Sequence, residues 1–188
     1  MEIEVRSFIK DFSSVKKQLN LLNAKKIDET KIEDIWFCKN NINTYEETKM
    51  NKVGSYGLRI RLQSGRKPEL NVKTIVSEKD HQIFGEHEVL VDDADTMRTI
   101  LENLGFKVFC VLKKIRETYE FEDMKINLED IEGFPPCIEI EILEEENLES
   151  NKEKIHEVLD QLGLDKKDRI DTSITSLFME KYVFKSKN

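Results

Sequence analysis

The feature that most constrains this chain is a two-residue alternation of charged and aliphatic side chains that recurs in short segments along its length. Glu2, Glu4 and Arg6 share one parity while Ile3 and Val5 take the other. Arg59 and Arg61 alternate with Leu58, Ile60 and Leu62, and Glu139 and Glu141 alternate with Ile138, Ile140 and Ile142. Lys114 shares a parity with Arg116, and Glu86 with Glu88. Successive side chains of a β-strand point to opposite faces, so each segment reads as a strand with one charged and one apolar face. For one strand alone, the ordinary explanation is a half-exposed antiparallel sheet with its charges in water. Taken together the strands resist it, because the helical stretches between them carry apolar stripes that need an apolar sheet surface to cover. With helices on the apolar faces, the charged faces must line something else, and a sheet closed into a barrel turns such a face into a lumen. A lumen of both signs suits two jobs. Lys and Arg hold a multiply charged anion, and paired Glu hold a hard divalent cation through oxygen.

Composition narrows the classes. The charged fraction is 36%, above the usual quarter or so, as a polar interior or solvated helices require. The formal net charge of -8 argues against a nucleic-acid binder, which normally carries a basic surface. No apolar run approaches a membrane span and no charged-then-apolar leader opens the chain, so a soluble, cytoplasmic protein with no membrane partner is expected. Cys38, Cys110 and Cys137 lack CxxC spacing and read as buried or half-buried free thiols, with neither a disulfide framework nor a zinc site. His81, His87 and His156 lack ligand spacing and read as surface residues.

A helix is predicted from Asp11 to Ala24, with Phe12, Val15, Leu19 and Leu22 on one stripe. Strand patterns continue near Asp34 to Phe37, through Leu70 to Ile75 carrying Lys73, from Gly85 to Val91, from Phe109 to Phe121, and from Lys125 to Glu129. Asp95 reads as the cap of a helix over Thr96 to Leu104, closed by Gly105. Ser150 and Glu153 form a capping-box pattern before a helix ending at Gly163. A last helix starts near Thr172 and carries Ile174, Leu177 and Phe178. With no repeat, linker or composition break, one domain over residues 1–188 is expected. Trp36 and Tyr119 read as packed aromatics, and Glu144 to Glu146 as a solvated loop.

In order along the chain, Glu2-Ile3-Glu4-Val5-Arg6 resembles the ExExK signature that opens CYTH proteins, the triphosphate tunnel enzymes. Asp34-Ile35-Trp36-Phe37 is similar to the family's D-x-Y-F strand and Leu58-Arg59-Ile60-Arg61 to its L-R-x-R strand, with Lys73 at its single strand lysine. Leu104-Gly105-Phe106 and Lys114-Ile115-Arg116-Glu117-Thr118-Tyr119 resemble its L-G-F and K-x-R-x-x-Y elements. Ile131-Glu132-Gly133 and Ile138-Glu139-Ile140-Glu141 look like its closing V-E-G and E-I-E pair. Leu162-Gly163-Leu164 and Thr172 to Leu177 resemble its tail. Each motif alone is common; their ordered combination, from Glu2 to about Lys181, is specific. Three positions depart. Arg6 stands for the signature lysine, Glu129 for an aspartate ten residues before the closing pair, and Ile174 for the tail tyrosine.

The resemblance implies an α+β fold, an eight-stranded antiparallel β-barrel tunnel with helices packed outside, that binds a triphosphate-containing small molecule and Mg²⁺ or Mn²⁺. By position, Glu2, Glu4, Glu129, Glu139 and Glu141 are implied metal ligands. Arg6, Arg59, Arg61, Lys73, Lys114 and Arg116 are implied phosphate contacts, with Glu2, Glu4, Lys73 and Arg116 carrying catalysis. For Glu86 and Glu88 a site role and a solvated face are equally open. The leading function is a triphosphate phosphohydrolase, with inorganic, nucleoside or thiamine triphosphate as substrate. The alternatives are a class IV adenylate cyclase and a non-catalytic polyphosphate- or nucleotide-binding protein. Oligomeric state is open, with a homodimer among the alternatives.

Overall fold

Each alternating segment is a strand. The computed structural model describes residues 2–49, 52–76, 83–143 and 147–183, and its backbone groups into two compact units. His81 and Glu144 to Glu146 lie outside the described residues, as does the side chain of Glu2. No helix among the described residues is long and apolar enough to cross a membrane.

The first unit comprises Met1–Thr30 and Lys114–Asp171. It holds β1 (Glu2–Phe8), α1 (Phe12–Leu21), β7 (Met124–Ile131), β8 (Cys137–Leu143), α4 (Leu148–Gln161) and β9 (Arg169–Ile170). Two long strands, β2 (Lys25–Lys39) and β6 (Phe106–Phe121), contribute residues to both units. Within this unit the antiparallel order is β6-β7-β8-β1-β9. Ile3 and Val5 of β1, Ile126 and Leu128 of β7, and Ile138, Ile140 and Ile142 of β8 form one apolar face. That face packs against Val15 and Leu19 of α1 and Ile155, Val158 and Leu159 of α4. Burying each such aliphatic side chain contributes about 1.5–3 kcal/mol. The helices thus occupy the apolar side, as the parity required.

The second unit comprises Lys31–Lys113 and Thr172–Asn188. Its antiparallel order is β2-β3-β4-β5, with β3 at Tyr56–Gln63, β4 at Glu69–Ile75 and β5 at Ile83–Leu90. Phe37, Leu58 and Ile60 pack with Leu101, Ala94 and Met97 of α3 (Ala94–Asn103). Trp36 packs with Cys110 and with Met179 and Phe178, which end and follow α5 (Ile174–Phe178). Trp36 is therefore a packed aromatic, and all three cysteines are buried and free, as expected.

Several boundaries differ from the sequence reading. Asp93, not Asp95, caps α3, because its carboxylate accepts from the backbone N–H groups of Asp95 and Thr96. α4 begins at Leu148 behind Asn147, which holds a left-handed conformation with no side-chain cap bond, so the Ser150–Glu153 pattern lies inside the helix. A four-residue helix, α2 (Tyr45–Thr48), was not anticipated, although Thr44 and Glu47 form its capping box. Nine strands are present among the described residues against eight expected, and β9 contributes only two residues.

His156 is not the plain surface residue expected. Its Nδ1 meets Arg169 Nη1, and Arg169 Nη2 donates to Asp160 at 2.5 Å, tying α4 to the strand opposite Arg6 and Ser7 of β1. Burial, followed by the charge of Arg169, lowers the His156 pKa below its ordinary value. A group depressed in the folded state contributes stability above its unfolded pKa and loses it as pH falls through the folded one. The melting temperature is therefore expected to fall as pH drops below about 6.5, and His156→Gln should flatten that limb. A thermal melt series across this range is the check, and parallel profiles would contradict it.

Candidate active site

The faces opposite the helices carry the charges, yet these are not wet. Relative exposure is 1% for Glu4, 3% for Arg6, 1% for Glu129 and 8% for Glu139. A half-exposed sheet would leave such groups in solvent, and lone buried charges are costly, so they must be paired or serve a ligand.

Register explains how the first unit assembles them. Glu4 stands directly opposite Glu141, and Arg6 opposite Glu139. Asn127 stands between Thr118 and Glu139, and Glu129 between Arg116 and Cys137. The rows Thr118–Asn127–Glu139–Arg6 and Arg116–Glu129–Cys137 thus cross the sheet on one face. Carboxylate oxygens of Glu4, Glu139 and Glu141 lie within 4.8 Å of one another. Like charges set directly opposite across strands repel, so this trio needs cationic compensation. Arg6 supplies part of it: its Nε donates to Glu139 at 2.8 Å and its Nη2 meets Glu4. Lys125 stands 3.8 Å from Glu141.

Glu129, expected among the metal ligands, accepts from two cations. Lys114 Nζ donates to its Oε1 at 2.6 Å and Arg116 Nε at 2.7 Å, with Arg116 Nη2 on the same oxygen. Burial pushes the Glu129 carboxyl up, but the charges of Arg116 and Lys114 outweigh it and hold its pKa below the usual value. Burial likewise works against the Arg116 guanidinium, and Glu129 and Glu139 more than reverse that, raising its pKa. The Cys137 thiol, beside Glu129, is pushed up by burial.

In the second unit the corresponding face carries Asp34, Trp36, Arg59, Arg61, Asn71, Lys73 and Glu86. Arg61 forks onto Asp34, Nε to Oδ1 at 2.7 Å and Nη2 to Oδ2 at 2.9 Å, a bidentate pair of the strong kind. Arg59 lies 5.4 Å from the Trp36 ring centroid and donates to Glu86 at 3.3 Å. Lys73 stands 3.8 Å from Glu86, and Asn71 Nδ2 donates to the same carboxylate at 2.5 Å. Of the two open residues, Glu86 belongs to this cluster and Glu88 is exposed, as is His87.

The donor set of Glu4, Glu139 and Glu141 fits a hard divalent cation: three anionic oxygens and neither His nor Cys among them. Sequence reasoning quoted Asp34 in a motif without giving it a site role, and missed the uncharged residues Thr118, Asn127 and Asn71. These three share the parity of the charged residues but carry no charge to mark them.

A helix-backed antiparallel sheet that buries its charged face defines the class. The CYTH domain model matches residues 1–174, and the chain belongs to the CYTH family. A Methanocaldococcus jannaschii protein, provisionally named an adenylate cyclase, is 32% identical over 180 residues, covering 94% of this chain and 98% of its own. A solved Pyrococcus horikoshii OT3 protein matches with a TM-score of 0.78 and 27% identity, over 92% of this chain and 96% of its own. A solved Pyrococcus furiosus protein matches with a TM-score of 0.80 and 26% identity, over 94% and 99%. The fold class is the expected one, an α+β antiparallel architecture of the CYTH kind.

Proposed function

We propose that this chain is a single CYTH domain and a metal-dependent triphosphate phosphohydrolase. The observation that carries the reading is the carboxylate trio Glu4, Glu139 and Glu141, the first two buried and the third half-buried, with Arg6 on Glu4 and Glu139 and Arg116 on Glu139. Pure anion binding would gain nothing from three carboxylates within 4.8 Å of one another, which counts against the non-catalytic alternative. Bound there, Mg²⁺ or Mn²⁺ would neutralise phosphate charge and polarise the phosphoryl group under attack.

The residues' own work is electrostatic. Around the trio, the four carboxylates Glu4, Glu129, Glu139 and Glu141 outnumber the three cations that pair with them there, Arg6, Lys114 and Arg116, by one. A divalent charge reverses that balance, so metal favours the anion. Arg6, Lys114 and Arg116 then exchange carboxylate oxygens for phosphate oxygens, guanidinium forks suiting planar oxygen pairs and lysine acting as a point charge. Arg59, Arg61 and Lys73, in the second unit, are proposed for the same kind of oxygen. Phosphoryl transfer asks little covalent help of the protein beyond such positioning and charge neutralisation.

A class IV adenylate cyclase is the second reading, favoured by the name of the Methanocaldococcus jannaschii relative. Cyclisation requires a nucleoside pocket that aligns a ribose hydroxyl with the α-phosphorus. Trp36, at 4% exposure and packed against Met179, does not present a stacking surface. Inorganic triphosphate is therefore expected to be cleaved at least as well as ATP. The check compares phosphate release from inorganic triphosphate with cyclic AMP and pyrophosphate formation from ATP at matched metal. Stoichiometric cyclic AMP with inert inorganic triphosphate would replace the hydrolase reading with the cyclase.

A further inference from the structure

Asn127 sits in the middle of the row Thr118–Asn127–Glu139–Arg6 and is 1% exposed. Its Oδ1 accepts from the Thr118 hydroxyl at 2.9 Å, with the NH₂ on the side away from Thr118. The Nδ2 atom is buried and has no hydrogen-bond partner. An unsatisfied buried donor is costly and needs a reason. Its register partner Glu139 is already engaged, by Arg6 Nε at 2.8 Å and Arg116 Nη2 at 3.3 Å. A metal ion cannot satisfy an N–H group; an oxygen acceptor, from a bound ligand or a water, does so.

We infer that Asn127 donates through Nδ2 to a phosphate oxygen of the bound triphosphate, serving as the neutral member of the anion grip. This rests on the triphosphate reading above. The cations around it are already engaged by carboxylates, Arg6 by Glu139 and Lys114 and Arg116 by Glu129. Asn127 gives up nothing, so it offers a directional contact before the ion pairs rearrange. Thr118 is the positioning residue, because without its hydroxyl the amide is free to turn.

The test measures two affinities by calorimetry on purified full-length protein: Mn²⁺ without anion, and tripolyphosphate with and without Mg²⁺. Asn127→Asp keeps the shape and the acceptor for Thr118 but replaces the donor by a carboxylate oxygen. Its tripolyphosphate affinity is expected to fall roughly tenfold or more, as for a lost hydrogen bond to a charged acceptor plus added repulsion. Its Mn²⁺ affinity is expected to stay or rise. Thr118→Val should lose tripolyphosphate affinity in the same direction by a smaller factor, with Mn²⁺ affinity unchanged. If Asn127→Asp does not fold, Thr118→Val decides alone. Parent-like tripolyphosphate binding in the folded variants overturns the role of Asn127, and so does a loss of Mn²⁺ affinity without loss of anion affinity, which assigns the amide to the metal's side. A parent protein that binds no tripolyphosphate overturns the triphosphate reading itself, and this inference with it.

Discussion

Glu141→Gln is expected to lower metal-dependent turnover of triphosphate by at least ~100-fold, since even residues that only support a metal ligand cost 10–100-fold when changed, while the melting temperature stays level or rises. Glu141 stands directly opposite Glu4, within the carboxylate trio, and its cationic neighbour Lys125 is 3.8 Å away and half exposed. Neutralising it relieves like-charge repulsion across the strand pair and removes an anionic oxygen from the metal. Glu139→Gln makes a contrast, because Glu139 also accepts from Arg6 and should cost both turnover and stability. Activity and thermal melts, each with and without Mg²⁺, separate the two. Retained turnover with a lowered melting temperature in Glu141→Gln would make Glu141 a structural group.

The largest stability effect is expected at Glu129. Glu129→Ala leaves Lys114 and Arg116, at 7% and 16% side-chain exposure, without the carboxylate they share. Breaking one side of a buried ion pair costs about 3–5 kcal/mol, which for a chain of this size lowers the melting temperature by roughly 6–20 °C. The acid limb should change as well. The Glu129 pKa lies below its unfolded value, so its contribution is full near neutral pH and is lost as pH falls through the depressed folded pKa. The variant should have a shallower loss there. Tripolyphosphate without metal should stabilise the variant more than the parent, because it replaces the negative charge that Glu129 supplied to the two cations. Equal shifts in both would mean that Lys114 and Arg116 do not reach the anion.

The alternation made the strands and their two faces legible, since parity is a local property: spacing alone put Glu4 with Arg6 on one face of their strand and Glu139 with Glu141 on one face of theirs. Who pairs with whom was not, because it depends on register between segments more than a hundred residues apart. Arg6 and Glu139 meet across 133 residues, and nothing near either one announces the other. Glu129 shows that nearness in sequence does not remove the limit: its place before the closing pair marked it as a site carboxylate, and only its register with β6 shows Lys114 and Arg116 as its partners. Uncharged site residues were the least visible, because Asn127 between Ile126 and Leu128 breaks no pattern and becomes notable only through its buried, unsatisfied nitrogen. The cap of α3 was missed for a smaller reason, as Asp92, Asp93 and Asp95 all satisfy the sequence rule and only backbone geometry chooses among them.

The central claim, a metal-dependent enzyme for triphosphates, is tested most directly by phosphorus NMR of the purified protein with inorganic triphosphate, first in EDTA and then with Mg²⁺ in excess. The account predicts unchanged triphosphate signals in EDTA and their conversion to pyrophosphate and phosphate once Mg²⁺ is added, with no conversion in Glu141→Gln. Triphosphate that stays intact with Mg²⁺ and with Mn²⁺, or that is cleaved equally well in EDTA, would contradict it.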